Sequence, residues 1–348
     1  MKNLLNKRKK IKVCIIGLGY VGLPLAIEFG KHIDTIGFDL NKTRISQLKK
    51  KYDKNNEILK NNFIKSKKLK FTSNINNIEN SNFYIVCVPT PVNKKKIPNL
   101  SLLLGACKTV SKVINKNDFV IFESTVYPGT TEEICVPLIN KLLKKRKDIK
   151  FSNNFYNYGY SPERVNPGDK INNLSKICKI VSGNNSISLN YINKVYSKVV
   201  KKTYKTKNIK IAESAKIIEN CQRDINIAFM NELAIIFDKL NVDFKKVLEA
   251  AKTKWNFINF KPGLVGGHCI GVDPYYLAYK SSITGYKPEI ILSGRKINDD
   301  MSNFYYKKIS HLASHKLKKK KIRILALGAA FKENVKDIRN SKVFDLVD

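Results

Sequence analysis

The sequence predicts an α/β chain: a parallel sheet with crossover helices, then a helical middle built on one long helix, then the opening of a second strand–helix unit. Three observations carry this. The apolar runs in "IKVCIIGLGYVGLPLAIEFG", "TIGFDL", "NFYIVCVPTPV" and "DFVIFEST" recur with helix-length polar segments between them, the rhythm of buried parallel strands. From Lys210 to Leu240 one apolar-periodic stretch runs without an interior glycine or proline. After Lys321, "KIRILALGAAFKEN" starts a new apolar strand shortly before Asp348.

Each element follows from its residues. The first run ends in glycines and passes into a helical pattern through Leu23, Ala26, Ile27 and Phe29, which reads as strand, turn, helix. The middle adds helices in "DFKKVLEAAKTKW" and "ILSGRKINDDMSNFYYKKISHLASHKL", with the glycine-rich "GLVGGHCIGVDPYYL" between them. At 348 residues the chain is too long for one ordinary core. The expected division is 1–207, 208–318 and a third, incomplete segment 319–348.

Composition narrows the function classes. Sixty-five Lys and Arg against 28 Asp and Glu give a formal net charge of +37, which raises nucleic acid as a partner. The lysines are scattered among Asn and Ile along the whole chain, so a solvated surface is expected, not a binding stripe. Seven cysteines, an odd number without a C-x-x-C pair or metal-ligand spacing, point to reduced thiols, no metal and a cytoplasmic location. The basic amino terminus lacks the apolar core of a signal peptide or membrane anchor.

Gly17, Gly19 and Gly22 form G-x-G-x-x-G between strand and helix, enclosing Tyr20 and Val21. That spacing gives a tight turn, backbone approach to a pyrophosphate and close helix–strand packing; alone it is merely a tight βα turn. Asp39 closes the second strand 22 residues after Gly17, where a carboxylate accepts ribose hydroxyls. Together they predict a Rossmann-like domain that prefers NAD to NADP, because an acid repels a 2′-phosphate. Arg44 could offset part of that repulsion. Thr90 and Thr125 follow apolar strands at the ligand-binding edge, where a hydroxyl equally serves to end a strand.

The chemical residues lie further on. Cys269 sits between Gly266-Gly267-His268 and Asp273; the glycines let a substrate reach backbone N–H groups beside the sulfur, and a thiol captures an aldehyde covalently. The competing reading is an inert buried cysteine. Next to a nicotinamide, the thiol allows two successive oxidations, alcohol to aldehyde and thiohemiacetal to thioester, ending in a carboxylic acid. Lys216, Asn220 and Arg223 share one face of the long helix, either as solvated charge or as hydrogen-bond donors to an oxyanion. Glu163 in "SPERVNPG" is a candidate to hold or deprotonate the hydrolytic water. His268 is set aside as a base, since adjacent residues seldom face each other and no orienting partner is evident.

In order, "IGLGYVGLP", "VPTP", "STVYPGTT", "SPERVNPG", "AESAKIIENCQRDINIAFMNEL", "GGHCIGVDP" and "FKENVKDIRNSKV" resemble the UDP-glucose/GDP-mannose dehydrogenase family, NAD-dependent four-electron oxidases of nucleotide-sugar C6 alcohols. The resemblance implies Cys269 as nucleophile, Lys216 and Asn220 as oxyanion donors, Asp273 and Thr125 as holders of a water, and Glu163 as an aid to thioester hydrolysis. It implies Val21, Asp39, Arg44, Thr90, Thr125 and Arg339 at NAD. Arg164, Val165, Arg223, Lys254, Gly266 and Lys332 are implied near the sugar nucleotide, alongside Glu163, Lys216 and Asn220.

"KPGLVGGHCIGVDPYYLAYK" with "ILSGRKIND" is similar to the bacterial branch acting on UDP-N-acetylhexosamines for surface polysaccharide. UDP-N-acetylmannosamine and UDP-glucose are the alternative substrates. The resemblance also implies a homo-oligomer with the long helix at a dimer core, and a third, UDP-binding domain of which 319–348 would be only the start. A truncated relic with little activity is the alternative that follows from that ending.

Overall fold

The computed structural model describes residues 10–165, 174, 176–316, 323–333, 335 and 337–348. The amino-terminal stretch 1–9, residues 166–168 of "SPERVNPG" and positions 319–322, where the third segment is expected to begin, lie outside the described residues. The chain divides into two compact units, residues 1–93 with 98–216, and residues 94–97 with 217–348.

In the first unit β1 (Lys12–Ile16), β2 (Asp34–Phe38), β3 (Leu69–Thr72), β4 (Phe83–Val86), β5 (Phe119–Phe122) and β6 (Asn157–Tyr160) form one parallel sheet, ordered β3-β2-β1-β4-β5-β6. Parallel neighbours require crossovers. These carry α1 (Gly22–His32), α2 (Lys42–Lys49), α3 (Lys60–Lys65), α4 (Ser101–Val113) and α5 (Val136–Leu143).

Alternate side chains of a strand face opposite layers. Val13 and Ile15 join Leu25, Ala26 and Phe29 of α1 in one core, while Cys14 and Ile16 join Leu103, Cys107 and Val110 of α4 in the other. Burial on both faces is why these strands read as unbroken apolar runs. Strand order reverses between β1 and β4, which leaves the crevice at their carboxyl ends where open α/β sheets bind ligands. A separate parallel pair, β7 (Cys178–Ser182) and β8 (Lys202–Thr206), encloses α6 (Ser186–Tyr196) in sequence.

The long helix is α7 (Ile209–Lys239), 31 residues, followed by α8 (Phe244–Ala251), α9 (Asp273–Ile283), α10 (Glu289–His311) and the short α11 (Phe344–Val347). In the second unit α7 and α10 are joined by a buried ionic cluster: Arg295, 1 % exposed, bonds Asp224 and Asp299, each at 2.6 Å, and Asn298 donates to the Asp224 carbonyl. Charges so buried are tolerated because each is paired and hydrogen-bonded. No helix of the described residues is long and apolar enough to cross a membrane.

One expected element does not form. Residues 323–329 of "KIRILALGAA" adopt no regular structure, and Ile324, Leu325 and Leu327 are 64%, 81% and 87% exposed. A strand is held by a partner's ladder, and among the described residues of the second unit no strand stands ready to supply one.

Candidate active site

The first unit builds the glycine turn as its spacing requires. Gly17 has φ +91°, and a Cβ there would lie 3.0 Å from the Cys87 carbonyl oxygen. At Gly22 a Cβ would come within 1.8 Å of the Gly17 carbonyl oxygen, so α1 packs on the turn only through hydrogen. At Gly19 a Cβ would meet nothing within 4 Å, which leaves backbone open to an approaching ligand. Tyr20 and Val21 are half-buried on this turn, and Val21 precedes an α1 first turn without an acidic residue. The first-turn N–H groups therefore face no local competitor for an anion.

Asp39 follows β2 with both carboxylate oxygens fixed, accepting from Leu18 N and from Asn41 N at 2.9 Å each. Arg44 donates to the Leu18 carbonyl and, at 2.7 Å, to buried Asp53. Its charge is thus already matched, which weakens the offset to Asp39 and keeps a 2′-phosphate disfavoured. An open backbone cradle and a fixed acid at the ribose position fit NAD.

The ends of β4 and β5 are laced together. Thr90 Oγ1 donates to the Thr125 carbonyl at 2.6 Å, and Ser124 Oγ to that of Val88 at 2.7 Å. Beyond Thr125 the turn is held by Glu213, a residue not singled out from sequence, whose carboxylate accepts from Gly129 N at 2.6 Å and Thr131 N at 2.9 Å. Burial pushes Glu213 up to about 7, against the pull of those two donors.

Glu163 is buried, accepts from Val165 N, and lies 3.9 Å from the ammonium of Lys179. Arg164 is tied to the Cys178 carbonyl at 2.8 Å, so the Glu163–Val165 segment is anchored to β7. Lys179 is fully buried, bonded to Glu123 at 2.6 Å, and Glu123 also accepts from Tyr196 Oη at 2.5 Å. Burial works against the charge on Lys179, but Glu123 and Glu163 outweigh it and hold the ammonium protonated. The signal for this cluster is a lysine inside the apolar run "ICKIVS".

In the second unit the loop 263–272 is pinned at several points. Asn231 of α7 donates to the Gly263 carbonyl at 3.0 Å and accepts from Gly263 N at 2.8 Å. Cys269 is exposed, and its carbonyl accepts from Asp273 N at 2.8 Å, which sets the thiol in the turn leading into α9. Asn220 Nδ2 donates to the buried Asp273 Oδ2 at 2.5 Å, bringing together two residues singled out separately from sequence.

Lys216 and Asn220, one turn apart on α7, are 8% and 5% exposed, so they are not solvated surface. Arg223 and Lys254 are exposed, and neither joins this hydrogen-bonded set among the described residues. By contrast with Cys269, the neighbouring thiol of Cys221 is buried; burial, with Asp273 and Asp224, pushes it up to about 12.

The glycine pair has a packing reason that differs from the expected one. A Cβ at Gly266 would lie 2.6 Å from the Asn340 carbonyl oxygen, and one at Gly267 2.6 Å from the Phe331 ring. The space is filled by the chain's own residues, and Gly267 N donates to the Asn340 carbonyl at 3.2 Å. His268 does have a partner: its Nε2 lies 2.8 Å from Asp337 Oδ2. Arg339 is bidentate to the same carboxylate, at 2.9 and 2.7 Å, and Lys332 is half-buried on the same segment.

Nearly the whole chain is similar to known proteins. Residues 11–207 match the NAD binding domain, and residues 210–300 the central domain, of the UDP-glucose/GDP-mannose dehydrogenase family. A UDP-N-acetyl-D-glucosamine 6-dehydrogenase of Salmonella typhi is 51% identical over 97% of this chain and 79% of its own length. A UDP-N-acetyl-D-mannosamine dehydrogenase of Campylobacter jejuni is 34% identical over 97% of this chain and 82% of its own. The solved UDP-D-ManNAc dehydrogenase from Pyrococcus horikoshii superposes with a TM-score of 0.86 at 32% identity, covering 97% of this chain and 80% of that one. A fixed glycine turn and Asp39 for the dinucleotide, with family-wide similarity over nearly the whole sequence, lead to one conclusion: the chain belongs to the UDP-glucose/GDP-mannose dehydrogenase family and is an NAD-dependent nucleotide-sugar dehydrogenase.

Proposed function

We propose that the chain oxidises the C6 alcohol of UDP-N-acetylglucosamine to the uronate through a covalent intermediate on Cys269. The observation that carries this is the exposed Cys269 thiol in one turn with Asp273, whose carboxylate is bonded to Asn220. The substrate is supported by 51% identity to the N-acetylglucosamine enzyme, against 34% to the mannosamine one.

The Gly17–Gly22 turn and Asp39 would hold NAD, and two NAD molecules bound in turn would supply a hydride acceptor for the two oxidations. Cys269 Sγ adds to the C6 aldehyde carbon, giving a thiohemiacetal; loss of its carbon-bound hydrogen as hydride and of its hydroxyl proton to water gives a thioester, and water cleaves that to the acid and the thiol. Lys216 and Asn220 donate to the oxygen that carries the developing negative charge. Asp273 and Thr125 hold the water, and Glu163 takes its proton as the thioester is hydrolysed. Val21, Thr90, Thr125 and Arg339 complete the NAD side; Arg164, Val165, Arg223, Lys254, Gly266 and Lys332 complete the sugar-nucleotide side.

The same reading places the dinucleotide domain at 1–207, the central domain at 208–318 and the first part of a UDP-binding domain at 319–348. It places the enzyme in the cytoplasm, for surface polysaccharide synthesis, as a dimer formed along α7. Seven cysteines, none of them in a disulfide, support the cytoplasm, and an exposed apolar stripe on α7 supports the dimer.

The test is stoichiometric. Purified protein with NAD and a panel of UDP-sugars should release two NADH per UDP-N-acetylglucosamine consumed, and less product from the manno, galacto and glucose substrates. One NADH per sugar would sink the double oxidation, and a preference for the manno sugar would overturn the substrate. Cys269→Ser should lower uronate formation ~10³-fold or more, the scale of losing a nucleophile.

A further inference from the structure

We propose that Asp337, acting through His268, is a positioning residue for Cys269, so that Phe331, Asp337 and Asn340 form a clasp on the nucleophile's loop. The inference rests on the reading of Cys269 as nucleophile.

The contacts are several and point one way. Asp337, 6% exposed, meets His268 Nε2 at 2.8 Å. Asn340 bonds the backbone one residue earlier from two sides, its carbonyl accepting from Gly267 N at 3.2 Å and its Nδ2 donating to the Gly267 carbonyl at 3.3 Å. Phe331 packs where a Gly267 side chain would be and meets the His268 ring edge-on, with centroids 6.1 Å apart.

Burial opposes ionisation of Asp337, but the side-chain and backbone donors of Arg339, and His268, outweigh it and hold the carboxyl well below the usual carboxylate range. The clasp therefore presents a fixed anion to the imidazole. Gly267 has φ +85°, a backbone state that other residues rarely adopt, and Cys269 lies two residues beyond it. Rotation at this hinge carries the thiol with it, so the side chain that ties down His268 sets where Sγ stands. Arg339, bonded to Asp337 at 2.7 Å, holds the carboxylate in turn.

The test compares four forms of the full chain, each checked for an unchanged thermal midpoint: wild type, Asp337→Leu, His268→Leu and His268→Gln. The glutamine amide can still donate to Asp337. With UDP-N-acetylglucosamine and NAD, both leucine variants should lose about tenfold in kcat with KM for the sugar nucleotide within about twofold, while His268→Gln stays within about threefold of wild type, as expected for a misplaced reacting atom. In the resting enzyme, iodoacetamide alkylation of the Cys269 peptide, read by mass spectrometry, should shift about fivefold or more in the leucine variants only.

Wild-type turnover or alkylation in the leucine variants would overturn the clasp. So would a loss confined to KM, or one that His268→Gln fails to rescue. If the shape change of leucine unfolds the chain, Asp337→Asn, which keeps the shape and one acceptor, is compared by the same two readouts. Uronate formation by Cys269→Ser would remove the nucleophile reading instead, while the alkylation pattern, measured without turnover, still decides the clasp.

Discussion

Glu213 lies on α7 with its carboxylate bonded to Gly129 N and Thr131 N, and burial pushes it up to about 7 from an ordinary value of 4.5. Between those two values the folded chain holds a proton that the unfolded chain has released. Its contribution to stability is therefore complete below pH 4.5 and lost as pH rises through about 7. The change is on the order of 3 kcal/mol. Glu213→Gln fixes the neutral form, so urea midpoints followed from pH 4.5 to 8 should fall more for the wild type than for the variant. Parallel curves would show that Glu213 does not titrate there. Single residues were unequally legible. Gly17, Gly22 and Asp39 could be read because their chemistry is local: a turn, a close approach, and a strand end at fixed spacing. Lys179 with Glu123, and His268 with Asp337, could not, because each pair joins residues 56 and 69 positions apart.

Helix α7 carries an exposed apolar stripe: Ile211, Ile218, Phe229 and Ile236, with Leu240 just past its end, are 57%, 57%, 52%, 43% and 61% exposed. At 100° per residue all five fall within about 20° of one line along the helix. Each large apolar side chain removed from water contributes roughly 2 kcal/mol, so a second copy laid on this stripe would bury a continuous seam. On the dimer proposed above, light scattering should give a dimeric mass for the wild type and a lower one for Phe229→Asp; a monomeric wild type, or a mass unchanged by the substitution, would overturn that seam. The length of α7 was legible because nothing in its sequence breaks a helix. Strand β8 was not: Lys202, Tyr204 and Lys205 are exposed, and an edge strand lacks the apolar run that marks β1 or β4. Residues 323–329 failed in the opposite sense, since apolar content gives a segment the propensity for a strand but not the neighbour that makes one.

Across the whole molecule the 65 Lys and Arg are scattered, and some are matched by the 28 Asp and Glu, as in Arg44 with Asp53 and Arg295 with Asp224, leaving a net +37. What is left over repels other copies. The parallel sheet and the helical middle were both foreseeable, because they depend on pattern averaged over many residues. The exposed run of Ile324, Leu325 and Leu327 sets a sticky patch against that long-range repulsion. Colloidal behaviour should then depend on ionic strength in the sense opposite to ordinary salting-in. With the screening length falling from about 30 Å at 0.01 M to about 3 Å at 1 M, the second virial coefficient should pass from positive to negative. A coefficient that rises with salt would mean that attraction between unlike charges, and not this patch, governs how copies meet.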